Sequence, residues 1–145
     1  MDAREFDELI SGNLLFKVLD KEAREKVMLL ARVVKYDNED VIIKQGADSD
    51  DIYLLHTGKV VVQTLQEGFI VELDTLKPGT IFGEVAEVSC VARTATVVAS
   101  GEVEAVRFPG KDLVEELRKH PTASKLLDHI VMHRAKDTIE KTFGY

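Results

Sequence analysis

The spacing of hydrophobic residues changes twice along the chain and divides it into three parts. In the first thirty residues, apolar side chains recur three and four positions apart, as at Phe6, Leu9 and Ile10, which predicts amphipathic helices. In the middle of the chain the alternation is every second residue, which is typical of β-strands. The helical spacing then returns. We therefore predict N-terminal helices over residues 1–31, a β-region over 32–108 and C-terminal helices over 109–145.

Turn residues interrupt the β-region every eight to twelve positions. Glu67-Gly68 and Ser100-Gly101 each predict a β-hairpin, and Thr57-Gly58 predicts a further turn. Short strands at this spacing favour a β-sandwich or β-roll over alternating strand–helix units. The sequence therefore predicts a mostly β domain with flanking helices. Asp20 is placed to cap a helix that begins at Lys21.

The last predicted helix begins at Pro121, a residue that suits the first helical position, and runs to about Lys141. Its apolar stripe has three interpretations that remain open: a lid over a ligand, a packing face within the domain, or the seam of a homodimer. The stripe comprises Leu126, Leu127, Ile130, Val131 and Ile139.

Composition and charge narrow the function classes. The 145 residues include 26 acidic and 19 basic side chains, for a net charge of −7, whereas nucleic-acid binders normally carry a basic stripe. The chain has neither an apolar run long enough to span a membrane nor an N-terminal secretory signal pattern. The single cysteine, Cys90, excludes an internal disulfide framework and a multi-thiolate metal site. We therefore expect a cytoplasmic protein that binds neither nucleic acid nor membrane.

Candidate chemistry is concentrated between Gly79 and Ala99. A strand is expected to end at Phe82, and Gly83 then allows a turn or the close approach of the backbone to a bound group. The next residues could form a helical turn whose free N–H groups attract an anion. Arg93 follows within a run of small and apolar residues, and the planar guanidinium makes paired hydrogen bonds to phosphate. A carboxylate such as Glu84 can accept a ribose hydroxyl, so these residue types together suggest a phosphate site with a sugar anchor.

This segment resembles the phosphate-binding cassette of the cyclic nucleotide-binding domain family, which includes the catabolite activator protein and the regulatory subunits of cAMP-dependent kinase. The resemblance covers nearly the whole chain and implies an eight-stranded β-roll (a double-stranded β-helix or jelly roll) with N-terminal helices and a C-terminal lid helix. Its motifs are Val41-Ile-Ile-Lys-Gln-Gly46, Tyr53-x-Leu55-x-x-Gly58-x-Val60, Lys77-Pro-Gly79-x-x-Phe82-Gly83-Glu84-x-Ala86, Arg93-Thr94-Ala95-Thr96 and His120-Pro121.

The resemblance implies a single regulatory domain over residues 1–145, with a cassette over 82–96, that binds cAMP or cGMP and closes its C-terminal helix over the base. Glu84 would accept the ribose 2′-hydroxyl and Arg93 would pair with the cyclic phosphate. Thr94 leaves cGMP open beside cAMP, because a hydroxyl at that position in family members can reach the guanine amino group. No catalytic residue, metal or cofactor beyond the nucleotide is implied. The expected ligand-binding residues are Phe82, Gly83, Glu84, Val85, Ala86, Arg93, Thr94 and Ala95.

Two alternative functions remain beside this expectation. Glu87 stands where the family usually has an apolar residue, which favours a degenerate domain that binds no ligand and serves as an interaction module. A metal-dependent enzyme on a similar roll needs histidines clustered on neighbouring strands, and His56 is the one histidine of the β-region. His129 and His133 lie four residues apart on a predicted helix without an evident third ligand. We therefore expect a binding module rather than an enzyme.

Overall fold

The computed structural model describes residues 1–83, 93 and 95–143, with the side chains of the last helix described as far as residue 134. Within these residues, three helices precede a β-sheet and two follow it. The helices are α1 (Ala3–Gly12), α2 (Leu14–Lys17), α3 (Lys21–Leu30), α4 (Gly110–Arg118) and α5 (Pro121–Phe143). The strands are β1 (Arg32–Tyr36), β2 (Val41–Ile43), β3 (Ile52–Gln66), β4 (Phe69–Leu76), β5 (Ile81–Phe82) and β6 (Thr96–Phe108).

Side-chain caps fix where the N-terminal helices begin. Asp2 accepts a hydrogen bond from the backbone N–H of Glu5, and Asn13 accepts one from Leu15. The predicted cap at Asp20 is confirmed, because its carboxylate accepts from the N–H of Ala23 at 2.8 Å. Each cap satisfies a backbone donor that has no partner within its own helix. Among the described residues, no helix has the length and hydrophobicity that a bilayer crossing requires.

The strands form one antiparallel sheet. Its main path is β1-β6-β3-β4, with β2 paired to β6 and β5 paired to β3. The predicted hairpin at Glu67-Gly68 is confirmed, since Gln66 pairs with Phe69 across it. The mostly β fold with flanking helices is therefore confirmed. The described residues form six strands rather than the eight that the family resemblance implied.

The hairpin predicted around residues 100–101 and the turn predicted at 57–58 are wrong, because β6 and β3 run continuously through them. Thr57 pairs with Glu104 and Lys59 pairs with Ser100, so β6 has two more residues than β3 between these pairs. The extra residues form an irregularity in the sheet at which the strands bend without reversing.

Gly58 explains why this bend resembles a turn in the sequence. Its φ of +89° lies in the left-handed region, and a side chain there would collide with the carbonyl oxygen of Glu102 on the neighbouring strand. Bulges and reverse turns both favour glycine for the same conformational reason. The local pattern alone could not distinguish the two.

Two hydrophobic clusters lie on opposite faces of the start of β3. Ile52 and Leu54 belong to the cluster shared with the helices, whereas Tyr53 and Leu55 belong to the interior of the sheet. Because both faces are covered, this strand begins with an unbroken apolar run rather than an alternating one. Helix α5 contributes to the first cluster through Ala123, Leu127 and Val131.

Candidate functional site

The candidate site is built around the buried side chain of Arg93, which is 4% exposed. Its guanidinium donates from Nη1 to the carbonyl oxygen of Gly83 at 2.6 Å and from Nη2 to the carbonyl oxygen of Asp51 at 2.6 Å. Its Nε donates to Oγ of Ser49 at 3.2 Å. A buried charge is tolerated only when polar partners replace the water it has lost. These three oxygens therefore stabilise a cation in the interior of the domain.

The backbone of Arg93 is anchored on the segment between β2 and β3. Its N–H donates to the carbonyl of Ala47 at 3.1 Å, and its carbonyl accepts from the N–H of Gly46 at 2.8 Å. Main chain and side chain thus bind to two different parts of the same segment, residues 46–51. These backbone contacts, together with those of the side chain, fix the position of the guanidinium.

Gln45 holds the start of this segment against two strands. Its side-chain Oε1 accepts from the Thr64 hydroxyl at 3.2 Å and from the N–H of Leu65 at 2.8 Å, both on β3. Its backbone N–H donates to Oγ1 of Thr96, the first residue of β6, at 3.0 Å. The segment that contacts Arg93 is therefore supported by the sheet rather than extending freely into solvent.

Gly83 provides the second feature of the site, a close backbone approach. Its φ is +92°, and a Cβ atom there would lie 2.8 Å from the carbonyl oxygen of Asp51 and 3.1 Å from Nη1 of Arg93. The first distance is shorter than real Cβ atoms show, and the second is tighter than most of their contacts. The close approach predicted at Gly83 is thus to the protein's own Asp51 and Arg93.

Phe82 fixes Gly83 by packing at the end of β5. It pairs with Tyr53 of β3, and the two rings stack with centroids 5.1 Å apart. Burial raises the pKa of the Tyr53 phenol well above its ordinary value, and the neighbouring Tyr36 raises it further. The phenol therefore stays neutral inside the cluster. Phe82 itself is only 1% exposed, so its packing holds the adjacent Gly83 in position.

The structure describes four of the eight predicted ligand-binding residues and brings two of them into contact. Gly83 and Arg93 share a hydrogen bond, Phe82 supports Gly83, and the half-buried Ala95 lies just before β6. The other four, like the departure from the family pattern at Glu87, lie outside the described residues. They are Glu84, Val85, Ala86 and Thr94.

Two contacts of Arg93 were not predicted, those to Ser49 and Asp51. The segment Asp48-Ser49-Asp50-Asp51 reads as a polar connection between strands. One signal was present: an arginine within a run of small and apolar residues must find oxygen acceptors elsewhere in the fold. The Asp51 carboxylate also lies 4.0 Å from Nε of Arg107, so a second cation borders this segment.

His56 is hydrogen bonded to Glu104 at 3.0 Å, and the side chains of His129 and His133 are exposed on α5. Within the part of the chain that the structure describes, no three metal-ligating side chains come together.

The described residues thus place a buried arginine beside a glycine at a strand end, in a β-sheet that is flanked by helices. Residues 33–120 match the family model described as the cyclic nucleotide-binding domain. The chain belongs to this family. The family is one of regulatory ligand-binding domains.

Individual relatives agree with this assignment. The chain is 34% identical over 103 residues to the cAMP-dependent protein kinase type II regulatory subunit of Drosophila melanogaster, an alignment that covers 71% of this chain and 27% of the relative. The chain thus spans about a quarter of the length of that protein.

Two solved structures share the fold. The sensor domain of the transcriptional regulator DNR from Pseudomonas aeruginosa superimposes with a TM-score of 0.81 at 21% identity, covering 94% of this chain and 93% of that one. The regulatory domain of Toxoplasma gondii PKA with cAMP gives a TM-score of 0.72 at 22% identity, covering 77% and 44%.

Proposed function

We propose that this domain binds a 3′,5′-cyclic nucleotide, cAMP or cGMP, as a regulatory sensor without catalysis. The observation that carries the proposal is the buried guanidinium of Arg93 beside the backbone of Gly83, in a chain of the cyclic nucleotide-binding family. Relatives named for cAMP favour that nucleotide as the first to test.

The chemistry of the site fits one phosphate. Charge-assisted hydrogen bonds from a guanidinium to a phosphate are strong and directional. Gly83 has no side chain, which allows the main chain to approach a ligand as closely as it approaches Asp51. Glu84 would accept the ribose 2′-hydroxyl, and Thr94 would contact the base of cGMP.

The net charge of −7 disfavours any anion at long range. Binding must therefore depend on local contacts, chiefly those of Arg93. We expect specific affinity to depend on that side chain far more than on the ionic strength.

The regulatory output would arise from a shift in helix position. The first half of α5 packs through Leu127 and Val131 into the helical cluster, which gives this helix a defined position for a ligand to change. A ligand that binds one position more tightly shifts the population toward it. The receiver would be a protein partner or a second copy of the domain.

Calorimetry on protein freed of nucleotide by unfolding and refolding tests the proposal. We expect saturable heat with cAMP, cGMP or both, and none with linear 5′-AMP at the same concentration. A thermal shift that grows with the logarithm of ligand concentration should accompany it. Folded protein that shows neither heat nor shift at millimolar cyclic nucleotide would refute the proposal.

A second candidate, an interaction module that binds no ligand, is favoured by one observation. The guanidinium of Arg93 already donates to three protein oxygens, on Ser49, Asp51 and Gly83. In such a module the arginine would act purely as a structural clamp. The same titration separates the two functions, because the clamp alone produces no heat with nucleotide.

A further inference from the structure

We propose that Ser49 is a phosphorylation site at which a covalent phosphate captures the guanidinium of Arg93. Among the described residues, three oxygens accept from this guanidinium: two are backbone carbonyls and one is a side-chain hydroxyl, Oγ of Ser49. The hydroxyl is the one of the three that a kinase can modify. Under the proposed function, this phosphorylation would also regulate nucleotide binding. The modification itself can be tested whether or not a nucleotide binds.

Accessibility favours the modification. Ser49 is exposed although its partner Arg93 is buried, so the hydroxyl connects the surface with the interior cation. It lies between β2 and β3, outside any helix or strand, where a kinase can bind an extended chain. Asp48, Asp50 and Asp51 flank it, which suits a kinase with a basic substrate groove.

The chemical step is an ordinary phosphoryl transfer. The Oγ atom attacks the γ-phosphorus of ATP, the bond to the β-phosphate oxygen breaks, and ADP leaves. The hydroxyl proton passes to the base of the kinase. The product carries a charge of about −1.5 to −2 near pH 7 and three strong acceptor oxygens.

The phosphate would form within hydrogen-bonding reach of Arg93. Oγ lies 3.2 Å from Nε, so oxygens attached through one phosphorus atom reach the same edge of the guanidinium. A tethered anion acts at an effective concentration of about millimolar or more, which favours it over a free ligand at micromolar levels. The phosphoserine would therefore compete with the phosphate of a cyclic nucleotide.

Charges on the same segment oppose this capture and make the inference testable. The carboxylates of Asp48, Asp50 and Asp51 repel a second anion and raise its pKa, whereas contact with a guanidinium lowers it. The second pKa of the phosphate at position 49 therefore shows whether the guanidinium or the carboxylates have the larger effect.

The experiment compares phosphoserine placed at position 49 by expanded genetic coding with phosphoserine at position 100. Ser100 is an exposed serine in β6 and serves as the matched control. By phosphorus NMR, we expect the second pKa of the phosphate at position 49 to be lower by about half a unit or more. Arg93→Gln should abolish that difference. If this variant fails to fold, Arg93→Lys is used, in which loss of the planar fork should reduce the difference.

A second pKa of the phosphate at position 49 that equals or exceeds the one at position 100 would overturn the inference. So would failure of an acid-directed kinase with ATP to label the protein more than Ser49→Ala. With cAMP as probe, phosphorylation at 49 should weaken binding by about thirtyfold or more, since the tethered phosphate competes for Arg93. Phosphorylation at 100 should change it less than threefold. If the unmodified protein binds no nucleotide, the proposed function is refuted. The NMR comparison then decides the phosphorylation inference by itself.

Discussion

Arg93 donates a hydrogen bond of 2.6 Å to the carbonyl oxygen of Gly83, ten residues earlier in the chain. This contact joins the end of β5 to the residues that lead into β6. It also brings the guanidinium next to a backbone position, Gly83, where a Cβ atom would lie too close to the carbonyl oxygen of Asp51. Two of the eight residues that the sequence singled out for ligand binding are thus in direct contact.

The close approach at Gly83 predicts a specific cost of substitution. Gly83→Ala adds a Cβ atom 2.8 Å from the Asp51 carbonyl at a φ of +92°, so we expect a loss of about 2–4 kcal/mol of unfolding free energy. Gly79→Ala is the matched control, because φ is +91° there but nothing lies within 4 Å of the new atom. It should cost about 1 kcal/mol. Urea unfolding measures both, and equal losses would show that the crowding at Gly83 has no effect.

The hydrogen bonds of Arg93 predict a structural role in addition to ligand binding. Arg93→Leu leaves the carbonyls of Gly83 and Asp51 without these donors, and we expect a loss of about 2–4 kcal/mol in the absence of nucleotide. Arg107→Leu is the control, since that side chain is 42% exposed and its ion pair with Asp51 spans 4.0 Å. It should cost less than about 1 kcal/mol. If the two variants have similar urea unfolding midpoints, the structural role of the Arg93 hydrogen bonds is contradicted.

Tyr53 predicts a loss of stability in alkali. Burial raises its pKa in the folded protein, so the neutral phenol stabilises the fold fully below the ordinary value of 10.0, and this contribution is lost as the pH rises above it. Ultraviolet titration of the wild type and of Tyr53→Phe should show that the Tyr53 phenol ionises only when the protein unfolds. Ionisation of Tyr53 near pH 10 in folded protein would disprove the prediction.

For Glu116 we predict a loss of stability in acid. Burial alone would raise the pKa of this carboxyl, but the hydrogen bond and charge of Lys119, with the proximity of His120 and the charge of Lys26, outweigh it and hold the pKa below the ordinary 4.5. Its contribution is therefore present above pH 4.5 and is lost as the pH falls through the lowered value. Glu116→Gln should lower stability at pH 7 by about 1 kcal/mol and less at pH 3.

The control for this carboxyl is Glu115→Gln, on the exposed side of α4. It should change the unfolding free energy at pH 7 by less than about 0.5 kcal/mol, because this side chain is exposed. A stability profile for Glu116→Gln that runs parallel to that of the wild type from pH 7 to pH 3 would contradict the assignment.

Local signals predicted much of this fold correctly. The change of hydrophobic period located the helices and the sheet, and the cap at Asp20 and the hairpin at Glu67-Gly68 follow from side-chain and turn chemistry within a few residues. The bend at Gly58 was mistaken for a turn because its identity depends on the register of β3 against β6. That register is set by pairs such as Thr57 with Glu104, far apart in the sequence.

The candidate site likewise has parts that the sequence indicates and parts that depend on the fold. Gly83 and Arg93 were predicted because their residue types are uncommon in such surroundings and match a family pattern. The acceptors from Asp51 and Gly83 are backbone carbonyls, which every residue has, so no residue type marks them. Ser49 lies 44 positions from Arg93 and became a candidate only when the fold brought the two side chains together.

Calorimetric titration of cAMP into the nucleotide-free domain and into Arg93→Lys tests the central claim most directly. Lysine keeps the charge but loses the planar fork, so we predict saturable binding to the wild type and affinity at least about a hundredfold weaker in the variant. Arg107→Lys should bind as the wild type does. Binding that survives Arg93→Lys unchanged, or wild-type protein that is folded and produces no heat with either cyclic nucleotide, would contradict the claim.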